Sequence, residues 1–360
     1  MGMIFMDSFS GYATAQLATK FNGGVIGAVT INPGTGRHGN NSLRCSDSGH
    51  VDLVLKVPTS DIIVGFGILN ADTPILASNT FIELMTTTDE SQKAAQVRWT
   101  DGSGAPIGGI SVFAGSSSHV NSANNLWVQA AYFHLQIRVK TTSYTGGVLS
   151  VTVTVKLNNV IVATVSGTVT TPVGKVNIIR FINVGSGSCD YSDLYIIDMD
   201  DGIAPTDFIS PTGDLDVSPL FPDANGITNS WTPLSAPNFS QVNEHPPDGD
   251  TTYVASPTVG AIDLYHFPAD NSIAPAGSVI YGVQENIFAK KDDPAGSRNI
   301  STLTHIASSG LNYNGIDTIA LGNNYQYYYN CMGKNLATGN PWQLGEVGGL
   351  GSQFGQMVLS

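Results

Sequence analysis

Charge is scarce in this sequence, and positive charge is the scarcer kind. Charged residues fill 12% of the 360 positions, about half the usual share. The 28 acidic residues outnumber the 15 Lys and Arg residues, which gives a net charge of −13. Nucleic-acid binders neutralise phosphates with Lys and Arg, and anionic membrane surfaces attract the same residues. We therefore expect no nucleic-acid partner and no attachment to such a membrane.

Cysteine is almost missing as well. Cys45, Cys189 and Cys331 are the only three, and they lie far apart without a CxxC spacing. A disulfide framework or a zinc cluster needs more cysteines at closer spacing. We expect all three to be buried or idle thiols.

Long apolar runs are absent too. No stretch approaches the ~20 apolar residues of a membrane-spanning helix. The N-terminal sequence MGMIFMDSFSGY has neither the basic start nor the apolar core of a signal peptide. We expect synthesis in the cytosol, with no membrane insertion and no secretion signal.

The residue sets of common hydrolases are also lacking. The sequence has five Glu residues, and none is paired with a second acid two or four positions away in a strand pattern. Glycosidases on β-scaffolds need two such carboxyl groups on one face. The GxSxG elbow and the Gly-rich phosphate loop are not found. From these absences we predict that the chain is not an enzyme and has no catalytic residues.

Alternation of apolar and polar residues is what the sequence does contain. VDLVLKV (51–57), HLQIRVK (134–140) and VLSVTVTVK (148–156) each place apolar side chains on one face and polar ones on the other, as strands with one buried face do. Asn158-Asn159 suits a two-residue hairpin turn between β-branched runs. Many short strands with Gly, Asn and Ser turns predict an all-β sandwich or jelly roll.

The composition and periodicity of the sequence change after Gly202. Residues 203–226 hold four Pro and no clear periodicity, which indicates a linker. Strand-like segments resume beyond it. We predict a jelly-roll domain over 1–202 and a second β-rich, sandwich-like domain over 227–360.

The stretch DYSDLYIIDMDDG (190–202) is the most acidic in the sequence. An EF-hand loop that starts at Asp198 would need Glu at its twelfth position, and Ile209 stands there. We interpret the stretch as a closing strand followed by an acidic turn. A weak Ca²⁺ site at Asp198, Asp200 and Asp201 is the alternative, and we expect no other cofactor.

Aromatic and loop residues supply the remaining candidates. Exposed aromatic rings stack on sugar rings or on partner proteins, and Trp231, Tyr325 and Tyr327 are the candidates for such contacts. His245, in NEHPPDGD, is a candidate ligand together with Glu244 and Asp248, although a solvated loop histidine is the alternative.

The order of several motifs resembles a known family. These are the opening DSFSGY, the turn GRHGNNSLRC (36–45), the strand WVQAAYFHLQIRVK (127–140) with its Asn hairpin, and the closing YSDLYIIDMDDG. They resemble the concanavalin A-like, laminin-G-like jelly roll, especially the versions in structural proteins of tailed-bacteriophage virions. The C-terminal YYYNCMGKNLATGNPWQLGEV (327–347) is similar to the ends of such phage proteins.

The resemblance implies a non-enzymatic virion protein of the tail, baseplate, fibre or capsid decoration. It would contact other virion proteins through edge strands and loops as a homo-oligomer, and it would reside in the virion after synthesis in the host cytoplasm. One alternative is a lectin-like adhesin that binds a host-surface glycan. A second alternative is a glycan-degrading enzyme whose carboxyl pair comes from distant loops.

Overall fold

The structure is a computed structural model that describes residues 2–70, 79–100, 107–116, 118–123, 126–128, 130–184, 187–200, 215–235, 237–294, 296–315 and 317–360. The chain divides into two compact units, Met1–Val217 and Ser218–Ser360. This boundary falls inside the stretch 203–226 that we expect to be a linker. We call the two parts unit 1 and unit 2 and describe each by itself.

Unit 1 is built almost entirely of strands. In chain order they are β1 Gly2–Asp7, β2 Gly24–Asn32, β3 Ser42–Thr59, β4 Asp61–Asn70, β5 Thr80–Met85, β6 Lys93–Thr100, β7 Ile107–Ala114, β8 Ser118–Asn121, β9 Trp127–Val128, β10 Tyr132–Thr145, β11 Val148–Leu157, β12 Val160–Thr170, β13 Val176–Ile182 and β14 Ser188–Asp198. A 3₁₀ turn, Thr14–Gln16, leads into one short helix, α1 Leu17–Lys20.

The strands of unit 1 form one fourteen-stranded sheet. Its order is β12-β11-β10-β4-β14-β3-β13-β5-β6-β7-β8, with β1 beside β14, β2 beside β3 and β9 beside β7. All these pairs are antiparallel, which confirms the all-β prediction. In the long strand β3, residues 43–46 pair with β14 and residues 50–59 pair with β13.

The sheet folds back so that β12 lies alongside β7. The Ser116 amide donates to the Thr168 carbonyl over 3.2 Å. Gly167 permits this approach, because a Cβ there would run into the Ala114 carbonyl oxygen. The folded sheet encloses one core. The core includes edge-to-face rings of Phe66, Phe181 and Tyr191.

The predicted hairpin joins β11 to β12. Asn158 and Asn159 have positive φ angles of 46° and 68°, as a type I′ turn requires. Leu157 pairs directly with Val160 across the turn. In β3 the predicted alternation buries Val51, Leu53 and Leu55.

Unit 2 contains shorter strands. They are β15 Ala224–Asn229, β16 Thr232–Pro233, β17 Val254–Ala255, β18 Ile262–His266, β19 Val283–Ala289, β20 Asn299–Ile306, β21 Leu311–Asn314, β22 Ile319–Ala320, β23 Gln326–Met332 and β24 Ser352–Val358. Two 3₁₀ turns lie at Asn238–Gln241 and Asp270–Ser272. Six strands form a sheet in the order β15-β18-β24-β20-β21, with β22 beside β20, and β16–β17 and β19–β23 form two-stranded ribbons.

Trp342 is at the centre of a hydrophobic cluster in unit 2. It packs with Ile306, Met332, Val347 and Phe354, all buried. Its indole Nε1 donates to the Met332 carbonyl over 2.9 Å, so the polar edge of the ring is satisfied inside the core. Among the described residues, no helix has the length and apolar character needed to cross a bilayer.

Candidate functional site

Four neighbouring strands of unit 1, β11, β10, β4 and β14, present polar side chains on the face away from the core. We call this surface the polar face. In β10 the core side chains are Leu135, Ile137 and Val139. The intervening residues therefore point to the opposite side, because successive side chains of a strand alternate.

One row of the polar face crosses all four strands. Lys156 of β11 pairs with Gln136 of β10, Gln136 pairs with Gly65 of β4, and Gly65 pairs with Tyr195 of β14. His134 lies on the same face, two residues from Gln136 along β10. The sheet register therefore aligns a lysine, an amide and a phenol, with an imidazole in the neighbouring row.

A β-bulge in β14 places Tyr195. The register of β14 against β4 shifts between Ser192 and Tyr195, and Asp193 within the bulge has a positive φ of 50°. Bulges of this kind re-aim side chains. The Tyr195 ring then lies across Gly65, where an added Cβ would collide with the ring. Glycine at position 65 is thus what lets the phenol reach β10.

The Tyr195 hydroxyl is held by two side chains of β10. The Gln136 amide Nε2 donates to Tyr195 Oη over 2.6 Å, and His134 Nε2 lies 2.9 Å from the same oxygen. Tyr195, His134 and Gln136 are all buried. Lys156 is buried beside them, and burial lowers the pKa of its ammonium group. The Tyr195 phenol thus has an amide donor and an imidazole as partners in a buried environment, and Lys156 is opposite Gln136 in the register.

The polar face becomes accessible toward the other end of β10. The Arg138 guanidinium binds the Asp61 carboxylate through two hydrogen bonds of 2.8 and 2.6 Å, which raises the pKa of Arg138 through that hydrogen bond. Lys140 is exposed, and Thr152 and Thr154 of β11 are half-buried. This end offers a cation and hydroxyl groups directly to solvent.

The segment 33–41 lies over the buried end of the polar face. The Arg37 amide donates to Ser192 Oγ over 3.3 Å, and the Tyr132 hydroxyl donates to the Thr35 carbonyl over 2.8 Å. Residues 215–217 continue this cover, since Arg37 Nη2 donates to the Leu215 carbonyl over 3.1 Å. Tyr195 itself is buried, so a large molecule reaches its hydroxyl only after the surrounding chain moves.

The bulge residue Asp193 is the centre of a charged cluster under that segment. Its Oδ2 lies 3.7 Å from Arg37 Nε and 3.9 Å from His38 Nε2, and its Oδ1 accepts from the Val217 amide over 3.3 Å. Burial raises the pKa of Asp193 to about 6, against the opposing effect of Arg37.

His38, Asp193 and Asp216 offer ligand atoms within 4.8 Å of one another, a set that suits a divalent cation. However, the Arg37 guanidinium already lies beside Asp193 Oδ2 and supplies positive charge there. We therefore assign no metal to this cluster.

The Ca²⁺ candidates of the acidic stretch have other partners. Asp198 Oδ1 accepts from the Thr59 hydroxyl over 2.5 Å, and Asp200 Oδ2 accepts from the Ser60 amide over 2.7 Å. These bonds attach the acidic turn to the end of β3, as the interpretation of a closing strand and an exit turn predicts. Asp201 lies outside the described residues.

The aromatic candidates of unit 2 lie in two places. Tyr327 tilts against Phe288 in the ribbon β19–β23, with ring centroids 4.7 Å apart. Tyr325 stacks on Phe288 at 4.9 Å and carries Lys290 Nζ 4.6 Å from its ring centroid. Trp231 is separate, with its Nε1 donating to the Ala261 carbonyl over 3.2 Å. The role of these rings in glycan or partner contacts stays a prediction.

The candidate ligands around His245 are not gathered on one point. The His245 ring stacks on Phe221 at 4.1 Å. Glu244 and Asp248 instead both accept from the Thr252 hydroxyl, over 2.5 and 2.7 Å. This geometry agrees with a loop held by hydrogen bonds rather than with a metal site.

The residues of the polar row were not selected from the sequence. The alternation of β10 did place His134, Gln136, Arg138 and Lys140 on one face. Nothing local in the sequence shows that β14 and β11 lie beside them, because the strands that carry Tyr195 and Lys156 are brought together only by the sheet order.

Comparisons with known proteins give a likeness of fold. No protein-family model matches the chain, and no curated protein matches it. Among solved structures, endo-β-1,4-glucuronan lyase from the fungus Trichoderma reesei is 10% identical with a TM-score of 0.39, covering 55% of this chain and 96% of its own. Alginate lyase Aly36B is 10% identical with a TM-score of 0.37 over 53% and 92%. The carbohydrate-binding module CBM66 from Bacillus subtilis is 10% identical with a TM-score of 0.29 over 47% and 90%.

The comparisons bear on the prediction that the chain is not an enzyme, and they do not test the virion prediction. We predicted that the chain is not an enzyme, whereas two of the three structures are polysaccharide lyases, so that prediction is wrong as it stands. The predicted all-β fold class is confirmed. The comparisons show no link to bacteriophages, and the virion assignment stays a prediction. At TM-scores of 0.29 to 0.39 the likeness assigns no activity to this chain.

Proposed function

We propose that unit 1 binds an acidic glycan along the polar face. The observation that supports this most is that a single strand, β10, presents His134, Gln136, Arg138 and Lys140 from one side. Imidazole, amide, guanidinium and ammonium groups donate hydrogen bonds to hydroxyl and carboxylate oxygens. Asp61 neutralises Arg138 and Lys156 is buried, so the exposed Lys140 supplies the accessible positive charge of this face. That charge favours a negatively charged sugar although the whole chain is acidic.

Calorimetric titration with polyuronate oligosaccharides tests this proposal, with a neutral glucan of equal length as the comparison ligand. We expect saturable binding of the polyuronate that weakens as salt is added. Lys140→Ala should weaken it by about 0.5–1 kcal/mol, roughly two- to fivefold. Lys56→Ala is the matched control, because Lys56 is also exposed but lies on β3. If the folded protein binds no polyuronate, the proposal is wrong.

The Tyr195 hydroxyl favours a second candidate, cleavage of the same glycan by β-elimination. In that reaction a base removes the proton beside the carboxylate, the glycosidic oxygen leaves with a proton, and a carbon–carbon double bond forms. Lys156, whose pKa is lowered, would accept the first proton, and the Tyr195 phenol would supply the second. Gln136 would donate to the sugar carboxylate. Because this row is buried, cleavage requires the residues that cover it to move.

The ultraviolet absorbance of the unsaturated product measures this second activity directly. Tyr195→Phe should abolish cleavage and leave binding within about twofold, since only the proton donor is lost. Tyr144→Phe is the control, because Tyr144 is an exposed tyrosine outside the polar row whose hydroxyl donates to the Thr171 carbonyl. If polyuronate is bound without any unsaturated product, the binding proposal holds and the cleavage proposal fails.

We also propose, on the sequence resemblance alone, that the chain resides in a bacteriophage virion as a homo-oligomer in contact with other virion proteins. An acidic-glycan site on an exposed virion surface would then serve attachment to a host. Light scattering of the purified chain tests oligomerisation, and electron cryo-microscopy of particles tests location. A monomer that is absent from particles would contradict this assignment without affecting the glycan proposal.

A further inference from the structure

Cys45 and Cys189, far apart in the sequence, are direct cross-strand partners in unit 1. Cys45 of β3 pairs with Cys189 of β14 in antiparallel register. Both are buried and both are thiols in the structure. Opposed residues of an antiparallel pair project to the same face, with Cα atoms about 4.5 or 5.5 Å apart. Both separations fall within the range that a disulfide spans, about 4.4–6.8 Å.

The neighbouring pair fixes this register. Arg44 and Asp190 are opposed one position along, and they form two hydrogen bonds of 2.7 and 2.6 Å. A slip of one residue would break this bidentate pair and turn the two cysteines to the other face. The ion pair on one face therefore holds the two sulfur atoms together on the other.

Polar groups of the core contact both sulfur atoms. Cys45 Sγ lies 3.5 Å from the Phe181 carbonyl oxygen, and Cys189 Sγ accepts from Trp99 Nε1 over 3.4 Å. Burial raises the pKa of the Cys45 thiol, and the neighbouring Cys189 raises it further. The pair therefore reacts slowly once the sheet has closed and fastest while β3 and β14 are coming together.

We propose that Cys45 and Cys189 form a cross-strand disulfide when unit 1 folds in the presence of a small-molecule disulfide such as oxidised glutathione. One protein thiolate attacks the glutathione disulfide and releases one glutathione thiol. The second protein thiolate then attacks the mixed disulfide and releases the second. Two protein thiols lose two protons and two electrons, and one glutathione disulfide is reduced to two thiols. The product would link β3 to β14, the strand that carries Tyr195.

Thiol counting on the full chain tests the proposal, and Cys331 of unit 2 serves as the internal reference. The chain is refolded in oxidised or in reduced glutathione, quenched with acid, unfolded and treated with a maleimide polymer that shifts its mobility once per thiol. We expect three reactive thiols after the reducing treatment and one after the oxidising treatment. Peptide mass mapping of the wild-type chain should then identify a Cys45–Cys189 linked peptide.

Matched variants separate the pair from other oxidation products. Cys189→Ala should keep two reactive thiols in oxidised glutathione, and Cys331→Ser should keep none. Oxidation should raise the melting temperature of the wild type and leave that of Cys189→Ala unchanged. Three reactive thiols after oxidative refolding, a link that includes Cys331, or glutathione adducts alone would each overturn the proposal. The peptide map needs no variant, so a poorly folded variant does not remove the test.

Discussion

Glu285 of β19 carries its carboxyl group into the interior of unit 2. The residue is buried, and its Oε2 has no hydrogen-bond partner within the described part of the chain. Burial raises the pKa of Glu285 well above 4.5, against the hydrogen bond from the Gly355 amide. The unfolded chain ionises near pH 4.5 while the folded chain keeps its proton to higher pH. The contribution of this group to stability is therefore complete below that pH and is lost as the pH rises through the folded pKa.

Glu285→Gln should remove the loss of stability that ionisation of Glu285 causes at higher pH. We expect the variant to gain stability over the wild type as the pH rises above about 4.5, by about 1.4 kcal/mol per pH unit until the folded pKa is reached. Denaturant unfolding at a series of pH values measures the difference. Asp292→Asn, at an exposed acid of the same unit, is the control variant. A flat difference for Glu285→Gln would mean that its carboxyl group is solvated.

Gly65 is the residue on which the position of Tyr195 depends. Gly65→Ala should push the phenol off β4, destabilise unit 1 by about 1–3 kcal/mol and abolish any β-elimination activity. Urea unfolding together with the ultraviolet assay checks both effects. Gly11→Ala is the control, because a Cβ at Gly11 would meet no atom within 4 Å. An active, fully stable Gly65→Ala variant would show that the ring has room elsewhere.

At the scale of elements, Arg180 of β13 connects three strands on the outer face of the β3–β13–β5 region. Its Nε and Nη2 bond the Asp52 carboxylate of β3 over 2.8 and 2.9 Å, and its Nη1 bonds Glu90 over 2.8 Å and lies 3.8 Å from Glu83 of β5. The hydrogen bonds that Arg180 donates to Asp52 above all raise the pKa of Arg180. Asp52 is largely shielded, whereas the Glu90 side chain is 70% exposed.

Asp52 and Glu90 should therefore contribute unequally to the free energy of unfolding. Asp52→Asn should cost about 3 kcal/mol, because it leaves a buried guanidinium short of a partner. Glu90→Gln should cost less than about 1 kcal/mol, because solvent screens the exposed pair. Equilibrium unfolding of both variants measures the contrast. Equal costs would show that Glu83 and Glu90 together replace Asp52.

The sequence predicts elements well where neighbouring residues decide them. Alternation predicted β10 and β11, and Asn158-Asn159 predicted the hairpin between β11 and β12 with its positive φ angles. It did not predict the bulge at Asp193, since an extra residue in one strand is defined only against its partner strand. For the same reason the polar row and the opposed Cys45 and Cys189 were missed. Both depend on which strands become neighbours, and the local pattern carries no such information.

At the scale of the whole molecule, the chain forms two units, and each has a hydrophobic core of its own. Unit 2 is organised around Trp342, so Trp342→Ala should cost about 3–5 kcal/mol there. We expect unit 2 to unfold at a lower temperature while unit 1 keeps its melting transition and its glycan binding. Differential scanning calorimetry resolves the two transitions. A single transition that shifts as a whole would show that the units fold as one.

The composition of the whole chain predicted the fold class correctly, but it predicted the lack of enzymatic activity wrongly. The scarcity of helix-like periodicity predicted an all-β protein, and the structure confirms it. The lack of paired acids led to the prediction of a non-enzymatic protein, and that prediction does not stand. Paired carboxyl groups are one route to catalysis among several, so their lack in the sequence does not by itself exclude an enzyme.

The contact between Trp99 and Cys189 gives unit 1 a built-in optical signal. The Trp99 indole donates to Cys189 Sγ and is tilted against Trp127, with ring centroids 4.8 Å apart. A disulfide quenches indole fluorescence more strongly than a thiol does. Joining Cys189 to Cys45 would therefore dim the emission of this tryptophan pair and leave that of Trp342 unchanged. The oxidation state of the core could then be followed in real time, without a label, while the chain folds.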